Sequence, residues 1–246
     1  MIGRYPHPGR GFTQGLIAGT GSAPQIAIWE STGLYGQSAL CRYRLGHLQP
    51  QRRARLDGAL FGEGICRDGA HIWQLTWQDR VALRWDARTL ELLDRVPYDR
   101  EGWGICVAGG YVVTSDGSSE LVRRDPGTLS PWGVLEVRLE GASVPRLNDL
   151  AWSDGRIWAN VAGAPLLAGI DLDSGEVTDV VDARAARERR LGDDQAMMNG
   201  IAALPAPGEF LLTGKTYRYI RHVRLVAARD RTGRRRASRL IEDLVS

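Results

Sequence analysis

The sequence predicts an all-β protein, a five-bladed β-propeller built of antiparallel four-stranded blades. The first observation behind this prediction is a short phrase that occurs five times, about 40 to 50 residues apart, the period at which one supersecondary unit is copied around a ring. The copies are residues 12–16 (FTQGL), 61–65 (FGEGI), 102–105 (GWGI), 147–151 (LNDLA) and 198–202 (MNGIA). We expect each copy to open the innermost strand of one blade.

The second observation is the pattern that follows most copies. A turn rich in Gly, Asp or Ser leads into an apolar strand, as at residues 68–69, 109–110 and 154–155, and a later strand ends at a D-x-x-T or D-x-x-S turn, as at Asp86, Asp125 and Asp171. Short strands bounded by such turns are typical of antiparallel sheet. A unit of several strands that closes on itself with only short edges is a propeller blade.

Length and composition fit one closed ring. The repeat runs through the 246-residue chain, so we expect a single domain over residues 1–246. Hydrophobic residues make up 43% and no apolar run is long enough to span a bilayer, which predicts a soluble globular protein with no membrane partner. We also expect a monomer. The start of the chain lacks a signal-peptide pattern. The sequence leaves two locations possible: the protein stays in the cytoplasm, or it is the mature region of an exported protein.

The formal net charge of +3 is unevenly placed, because arginines cluster in the last thirty residues. They are Arg221, Arg224, Arg229, Arg231, Arg234, Arg235, Arg236 and Arg239. Such a segment can bind nucleic acid or an anionic membrane. No aromatic stacking pattern is interleaved with the arginines, so we expect a solvated basic surface and no nucleic-acid partner.

The three cysteines, Cys41, Cys66 and Cys106, show no C-x-x-C spacing. Neither a zinc site nor a disulfide framework is therefore indicated. Cys66 and Cys106 occupy the same place in consecutive repeats, which predicts small buried core residues.

The variable polar position of the phrase indicates where a site would lie. In a propeller the innermost strands line the central channel, and their ends converge on one mouth. The position holds Gln14, Glu63, Trp103, Asn148 and Asn199, which differ chemically, whereas a purely structural repeat would keep one residue type. We expect these side chains to form a binding site. The alternative is that each polar group only satisfies backbone groups near the channel.

Glu63 is the candidate general acid/base. Apart from Asp149 it is the one carboxylate at the phrase positions, and it is flanked by glycines. Burial beside aromatic rings would raise its pKa toward neutrality. Lys215 ends a strand of the last repeat, where its ammonium could stabilise negative charge or simply be solvated.

Tryptophans have two predicted roles. Trp77 follows the second phrase and Trp103 lies in the third, and their faces suit an apolar stem or an ammonium group. The others considered are predicted to plug the core between blades: Trp29, Trp85, Trp132 and Trp152.

The motifs, taken in order along nearly the whole chain, resemble the plant and bacterial type of glutaminyl-peptide cyclotransferase. They are residues 11–16 (GFTQGL), 29–38 (WESTGLYGQS), 61–65 (FGEGI), 74–77 (QLTW), 102–104 (GWG), 114–118 (TSDGS), 147–150 (LNDL), 159–161 (ANV), 198–202 (MNGIA) and 213–215 (TGK). The resemblance implies a five-bladed propeller that converts the N-terminal glutamine of a peptide to pyroglutamate with loss of ammonia. Members of the family are commonly exported.

The resemblance also implies roles for individual residues. Glu63 becomes the acid/base, and the residues around the substrate are Phe12, Gln14, Trp77, Trp103, Asn148 and Lys215. Asn148, Gln14 and Lys215 are expected to stabilise the oxygen of the tetrahedral intermediate. No cofactor is required by this scheme, although a structural calcium ion in the channel stays open.

The chain departs from the family pattern at a few positions. The family reads L-N-E-L-E where this chain has Asp149 and Ala151, and it has a pocket tryptophan after A-N-V where this chain has Ala162. Losing that indole removes about 2 to 3 kcal/mol of apolar burial if it packs on the substrate. Trp152 and Trp158 are candidates to fill the space. Tyr217 replaces a second family tryptophan.

Two other functions stay open. Propeller lactonases and related hydrolases gather Glu and Asn side chains around calcium, and Glu63, Asn148 and Asn199 would suit such a centre. The second alternative is a propeller that binds peptide N-termini without catalysis, and Ala151 and Ala162 are the residues that support it.

Overall fold

Glycine and aspartate turns divide the chain into short strands, each paired with its neighbour in sequence. A computed structural model describes residues 1–8, 11–188 and 196–227. These residues form five antiparallel four-stranded sheets, which confirms the predicted five-bladed propeller. The described part of the chain contains no α-helix, and hence no helical segment able to cross a bilayer.

In each blade the four strands are hydrogen-bonded in order from the channel outward. Blade 1 contains β2 (Thr13–Ala18), β3 (Ala27–Thr32), β4 (Ala39–Arg44) and β5 (Arg52–Arg55). Blade 2 contains β6 (Gly62–Asp68), β7 (His71–Thr76), β8 (Val81–Asp86) and β9 (Leu92–Pro97). Blade 3 contains β10 (Gly104–Ala108), β11 (Tyr111–Ser115), β12 (Glu120–Arg124) and β13 (Pro131–Glu136).

Blade 4 contains β16 (Leu147–Ser153), β17 (Arg156–Val161), β18 (Leu166–Asp171) and β19 (Val177–Asp182). A small hairpin of β14 (Arg138–Leu139) and β15 (Ala142–Ser143) precedes it. Blade 5 contains β20 (Met198–Ala203), β21 (Glu209–Gly214), β22 (Tyr219–Arg224) and, as its outermost strand, β1 (Gly3–Pro6). The N-terminal strand therefore completes the last blade and closes the ring.

The innermost strands β2, β6, β10, β16 and β20 pack side by side around the channel, and β20 returns to β2. The phrase glycines permit this close approach. A Cβ on Gly64 would lie 2.5 Å from the carbonyl oxygen of Trp103, and one on Gly104 would lie 2.0 Å from that of Asn148. Side chains at these positions would force the blades apart.

The D-x-x-T turns join the third and fourth strands of a blade. In blade 2, Asp86 Oδ1 accepts hydrogen bonds from the backbone N–H of Arg88 (2.9 Å) and Thr89 (2.6 Å) and from the Thr89 hydroxyl (3.0 Å). Asp125 and Asp171 make the same set of bonds in blades 3 and 4. Since these bonds stabilise the charged form, the pKa of each aspartate is lowered.

The core predictions hold in part. Cys66 and Cys106 are buried, as expected, and so are Trp29 and Trp85. Trp132 is 58% exposed, so its predicted role as a core plug is wrong: it lies on the outermost strand of blade 3, stacked edge-on against Tyr111 at 5.1 Å. Trp152 is only partly buried.

Most of the arginine-rich C-terminal segment, from Arg229 onward, lies outside the described residues. Of the two arginines that are described, Arg221 stacks on Tyr219 at 5.3 Å and Arg224 pairs with Glu209. Both contacts lie within the last blade.

A buried histidine fastens the closure of the ring. His7, directly after β1, donates through Nδ1 to the Tyr217 carbonyl (2.9 Å), and its Nε2 lies 2.8 Å from Glu30 Oε1. Glu30 in turn accepts from the hydroxyls of Thr13 (2.6 Å) and Tyr43 (3.1 Å). Because Glu30 belongs to blade 1 and Tyr217 to blade 5, this network joins the first blade to the last.

The pKa values of the pair move apart. Burial alone lowers the pKa of His7, but the Glu30 carboxylate more than offsets this and the net shift is upward from 6.5. Burial alone raises the pKa of Glu30, but His7 and the two hydroxyls hold it below 4.5. The ion pair is therefore the stable form.

We predict that the pair stabilises the fold most between pH 4.5 and 6.5. The contribution of Glu30 is lost as pH falls through its lowered pKa, and that of His7 is lost as pH rises through its raised pKa. Replacing His7→Gln should cost about 3 to 5 kcal/mol inside this window and less on either side. Urea unfolding across the pH range measures the difference. The exposed His47→Gln is the control, and a cost of the His7 variant that does not change with pH would contradict the prediction.

Candidate active site

A β-bulge at the phrase turns polar side chains toward the channel mouth. The pairing register shifts between Thr13 and Gly15, between Gly62 and Ile65, between Leu147 and Leu150, and between Met198 and Ile201. A bulge bends the strand and re-aims a side chain, and bulges are common beside active sites. Gln14, Glu63, Asn148 and Asn199 all lie within these irregular steps.

A cavity of about 380 Å³ opens at this mouth. Its lining consists of Phe12, Gln14, Phe61, Glu63, Trp77, Trp103, Asn148, Ala162, Met197 and Lys215. Each predicted site residue except Asn199 is in this lining. The residues come from the starts of inner strands and the ends of second strands, so the ring brings together positions that are far apart in sequence.

Asn199 lies behind Gln14. Its Nδ2 donates to Gln14 Oε1 at 2.7 Å, and Gln14 Nε2 donates to Glu63 Oε1 at 2.6 Å. All three side chains are buried. Asn199 does not line the cavity; it orients the Gln14 amide, which orients the Glu63 carboxyl.

The electrostatics of the cavity couple one acid to one amine. Burial raises the pKa of Glu63 well above its ordinary value, the Lys215 ammonium opposes this, and the carboxylates of Asp149 and Glu101 raise it further. Burial lowers the pKa of Lys215, and Glu63 opposes that shift. The Lys215 ammonium also lies 4.7 Å from the centre of the Phe12 ring, a cation–π contact.

Aromatic rings in contact form one wall. The centre of the Phe61 ring lies 6.2 Å from that of Phe12, which it contacts edge-on, 5.5 Å from that of Trp77 and 5.4 Å from that of Tyr35. Asp79 holds the centre of this wall, since Oδ2 accepts from the backbone N–H of Phe61 at 2.8 Å. The sequence analysis did not assign Phe61 to the site, although its place in the second phrase matches that of Phe12 in the first.

The positions at which this chain differs from the family pattern do not all lie in the cavity. Ala162 lines the cavity, and neither Trp152 nor Trp158 fills the space left there: Trp158 packs on Phe210 at 5.4 Å. Met197, which the sequence analysis did not identify, lines the cavity instead. Ala151 packs in an apolar cluster between blades 4 and 5, so its missing carboxylate removes nothing from the cavity.

Asp149 takes the place that glycine holds in the other phrases. It is fully buried, and Oδ2 accepts the backbone N–H of Ile201 from blade 5 at 2.8 Å. Burial raises its pKa, whereas backbone N–H groups, including that of Leu16 in blade 1, lower it. Asp149 therefore links the inner strands of blades 4 and 5 and does not line the cavity.

The fold and cavity define the class: a five-bladed β-propeller whose channel mouth holds a buried carboxyl group, side-chain amides and an ammonium beside an aromatic wall. The family model described as glutamine cyclotransferase matches residues 1–225. The chain belongs to the glutamine cyclotransferase family.

Two relatives agree with this assignment. Glutaminyl-peptide cyclotransferase of Arabidopsis thaliana is 28% identical over 237 residues, which is 95% of this chain and 73% of the relative. The crystal structure of Myxococcus xanthus glutaminyl cyclase matches with a TM-score of 0.84 and 33% identity, over 93% of this chain and 97% of that one.

We predict that Gly64→Ala distorts the mouth. Its new Cβ would meet the Trp103 carbonyl oxygen at 2.5 Å and the Gly104 Cα at 2.8 Å, and neither backbone atom can move alone. The expected loss is about 1 to 3 kcal/mol of unfolding free energy, measured by urea denaturation. Gly58→Ala is the control, because its nearest neighbour would lie 3.9 Å away. Equal stability of the two variants would refute the close-packing argument.

Proposed function

We propose that the protein is a glutaminyl-peptide cyclotransferase that uses Glu63 as general acid/base and requires no metal. Its substrate is a peptide or protein with an N-terminal glutamine, and its products are the pyroglutamyl peptide and ammonia. The observation that carries the proposal is the Glu63 carboxyl group, which is buried, is held by Gln14 at 2.6 Å and lines the same cavity as Lys215.

The cavity suits a single side chain with a free amine. A volume of about 380 Å³ is within the range of small-ligand pockets. The aromatic faces of Phe61, Trp77 and Trp103 can hold the aliphatic part of the glutamine, because such faces bind apolar stems. The nucleophile is the substrate's own α-amine, already tethered to the carboxamide, so the cavity has only to bring the two together.

The chemistry needs one group that takes and returns a proton. The α-amine attacks the side-chain carboxamide carbon, which forms the ring C–N bond and a tetrahedral oxyanion. Glu63 accepts the proton released by the α-nitrogen and passes it to the side-chain nitrogen, which leaves as ammonia as the C–N bond breaks and the carbonyl re-forms. Because burial raises the pKa of Glu63 well above its ordinary value, its carboxylate accepts the proton more readily than an exposed one would.

The oxyanion needs donors that are already in place. Asn148 and Lys215 line the cavity and can supply an amide N–H and an ammonium. Gln14 was expected to share this role, but its amide N–H is already donated to Glu63. We therefore assign Gln14 to the orientation of Glu63.

The two alternatives are less well supported. A calcium centre formed by Glu63, Asn148 and Asn199 does not fit, because the Gln14 side chain stands between Glu63 and Asn199. Among the described residues, no three His, Cys, Asp or Glu side chains converge to hold a metal. The hypothesis of a non-catalytic peptide-binding protein depended on Ala151 and Ala162. Of these two residues only Ala162 lies in the cavity.

We predict that the protein releases ammonia from a short peptide that begins with glutamine, with loss of the matching mass, equally with and without a chelator. Glu63→Gln should fold normally and lose about 10²- to 10⁴-fold in turnover, because the proton carrier is gone. An ammonia assay with mass spectrometry measures both. Glu136→Gln, on blade 3, is the matched control. A near-normal rate in the Glu63 variant would exclude its acid/base role, and chelator-sensitive turnover would exclude the metal-free mechanism.

We also predict a bell-shaped dependence of kcat/KM on pH. The rate should fall at low pH for two reasons: Glu63 is protonated, at a pH above 4.5 because its pKa is raised, and the substrate's own α-amine is protonated, with a pKa of about 8. It should fall at high pH as Lys215 loses its proton, below 10.5 because its pKa is lowered. Lys215→Arg should move only the basic limb to higher pH, since guanidinium stays charged. Movement of the acidic limb instead would contradict the assignment.

A further inference from the structure

We propose that Glu101 is a positioning residue that holds the indoles of Trp77 and Trp103 in the orientation in which they bind the substrate. The inference rests on the proposed function, because it concerns the same cavity. Neither the repeat pattern nor the family motifs pointed to Glu101.

One carboxylate oxygen binds both indoles. Glu101 Oε2 accepts the N–H of Trp77 at 3.1 Å and the N–H of Trp103 at 3.2 Å. The other oxygen, Oε1, accepts from Gln78 Nε2 at 2.8 Å. An indole N–H can only donate, so each ring is directed toward this single acceptor.

The two indoles come from different blades. Trp77 follows β7 of blade 2, Trp103 precedes β10 of blade 3, and Glu101 lies in the connection between β9 and β10. A shared acceptor therefore fixes the angle between two walls of the cavity. A Cβ on Gly117 would lie 2.8 Å from the Trp103 ring, so the ring also packs closely against the backbone of that glycine.

The segment that carries Glu101 is itself anchored. Asp99 pairs with the buried guanidinium of Arg124 at 2.6 Å. Arg100 pairs with Asp116 at 3.0 Å and with Glu120 at 2.8 Å. Both residues before Glu101 are thus tied to blade 3, which lets the carboxylate act as a fixed acceptor and not as a mobile surface group.

Glu101 acts through its neighbours. It does not line the cavity, and both of its oxygens are already bonded. Its charge reaches the reacting group all the same, because the carboxylate raises the pKa of Glu63. Two effects of Glu101 can therefore be measured separately: the orientation of the rings and the proton affinity of Glu63.

Two substitutions separate these effects. Glu101→Ala removes both acceptor oxygens and the charge. Glu101→Gln removes the charge but keeps one acceptor oxygen for the two indoles, and its NH2 group replaces the oxygen that faces Gln78. For the alanine variant we expect KM for a glutamine-initiated peptide to rise about tenfold or more, as loss of charge-assisted hydrogen bonds implies, with a smaller change in kcat. The glutamine variant should restore much of the affinity. In both variants the acidic limb of the pH profile should move to lower pH.

A second readout does not depend on activity. Nitrogen-15 NMR resolves one indole N–H signal for each tryptophan, eight in this chain, and Trp77→Phe and Trp103→Phe identify two of them. Glu101→Ala should shift these two signals and leave the other six in place. Glu136→Gln is the control, since Glu136 also accepts two side-chain hydrogen bonds, from Ser119 and Ser143. It should change neither the two signals nor KM.

The outcomes are distinct. Unchanged indole signals and unchanged KM in Glu101→Ala would overturn the proposal. Shifted signals with unchanged KM and pH profile would reduce Glu101 to a structural residue, and would overturn it too. If the wild type did not cyclise the peptide, the proposed function would fail on that result alone, and binding of the peptide to wild type and Glu101→Ala would then test whether the indole orientation matters.

Discussion

The close approach of the five inner strands is the constraint on which the rest of the molecule depends. Backbone meets backbone around the channel, so Gly64 and Gly104 leave no room for a side chain, and four of the five inner strands bulge where they enter the ring. In three of these bulges the polar side chain, Gln14, Glu63 or Asn148, enters the mouth. One steric requirement thus produces both a stable ring and a set of converging polar groups.

Convergence in a narrow mouth also removes water. Desolvation pushes the pKa of Glu63 up and that of Lys215 down, so both groups move toward the range in which proton transfer is efficient. Burying such groups costs stability. The closed ring offsets that cost through its apolar clusters between blades and through the His7–Glu30 pair that holds the first blade to the last.

The repeat was readable from sequence because it is local: glycines, turn aspartates and apolar strands recur in each blade, and the fold follows from counting them. The orientation of individual side chains could not be predicted from the sequence in the same way. A bulge adds a residue to one strand and breaks its alternation, so the sequence could not show that Ala151 packs between blades 4 and 5 and not at the cavity. Asn199 was misplaced for the same reason, and Glu101 lies in a connection that has no period at all.

The aromatic rings lie on one side of the cavity, so the position of the substrate depends strongly on the two indoles that are present. Blades 1 to 3 supply its aromatic rings, whereas blades 4 and 5 supply Asn148, Ala162, Met197 and Lys215. Where the family pattern has a further tryptophan, this chain has Ala162, so fewer rigid rings define where the glutamine side chain lies. A flexible methionine fills gaps but specifies orientation poorly. Orientation must then come from Trp77 and Trp103, and the acceptor that fixes both indoles is Glu101.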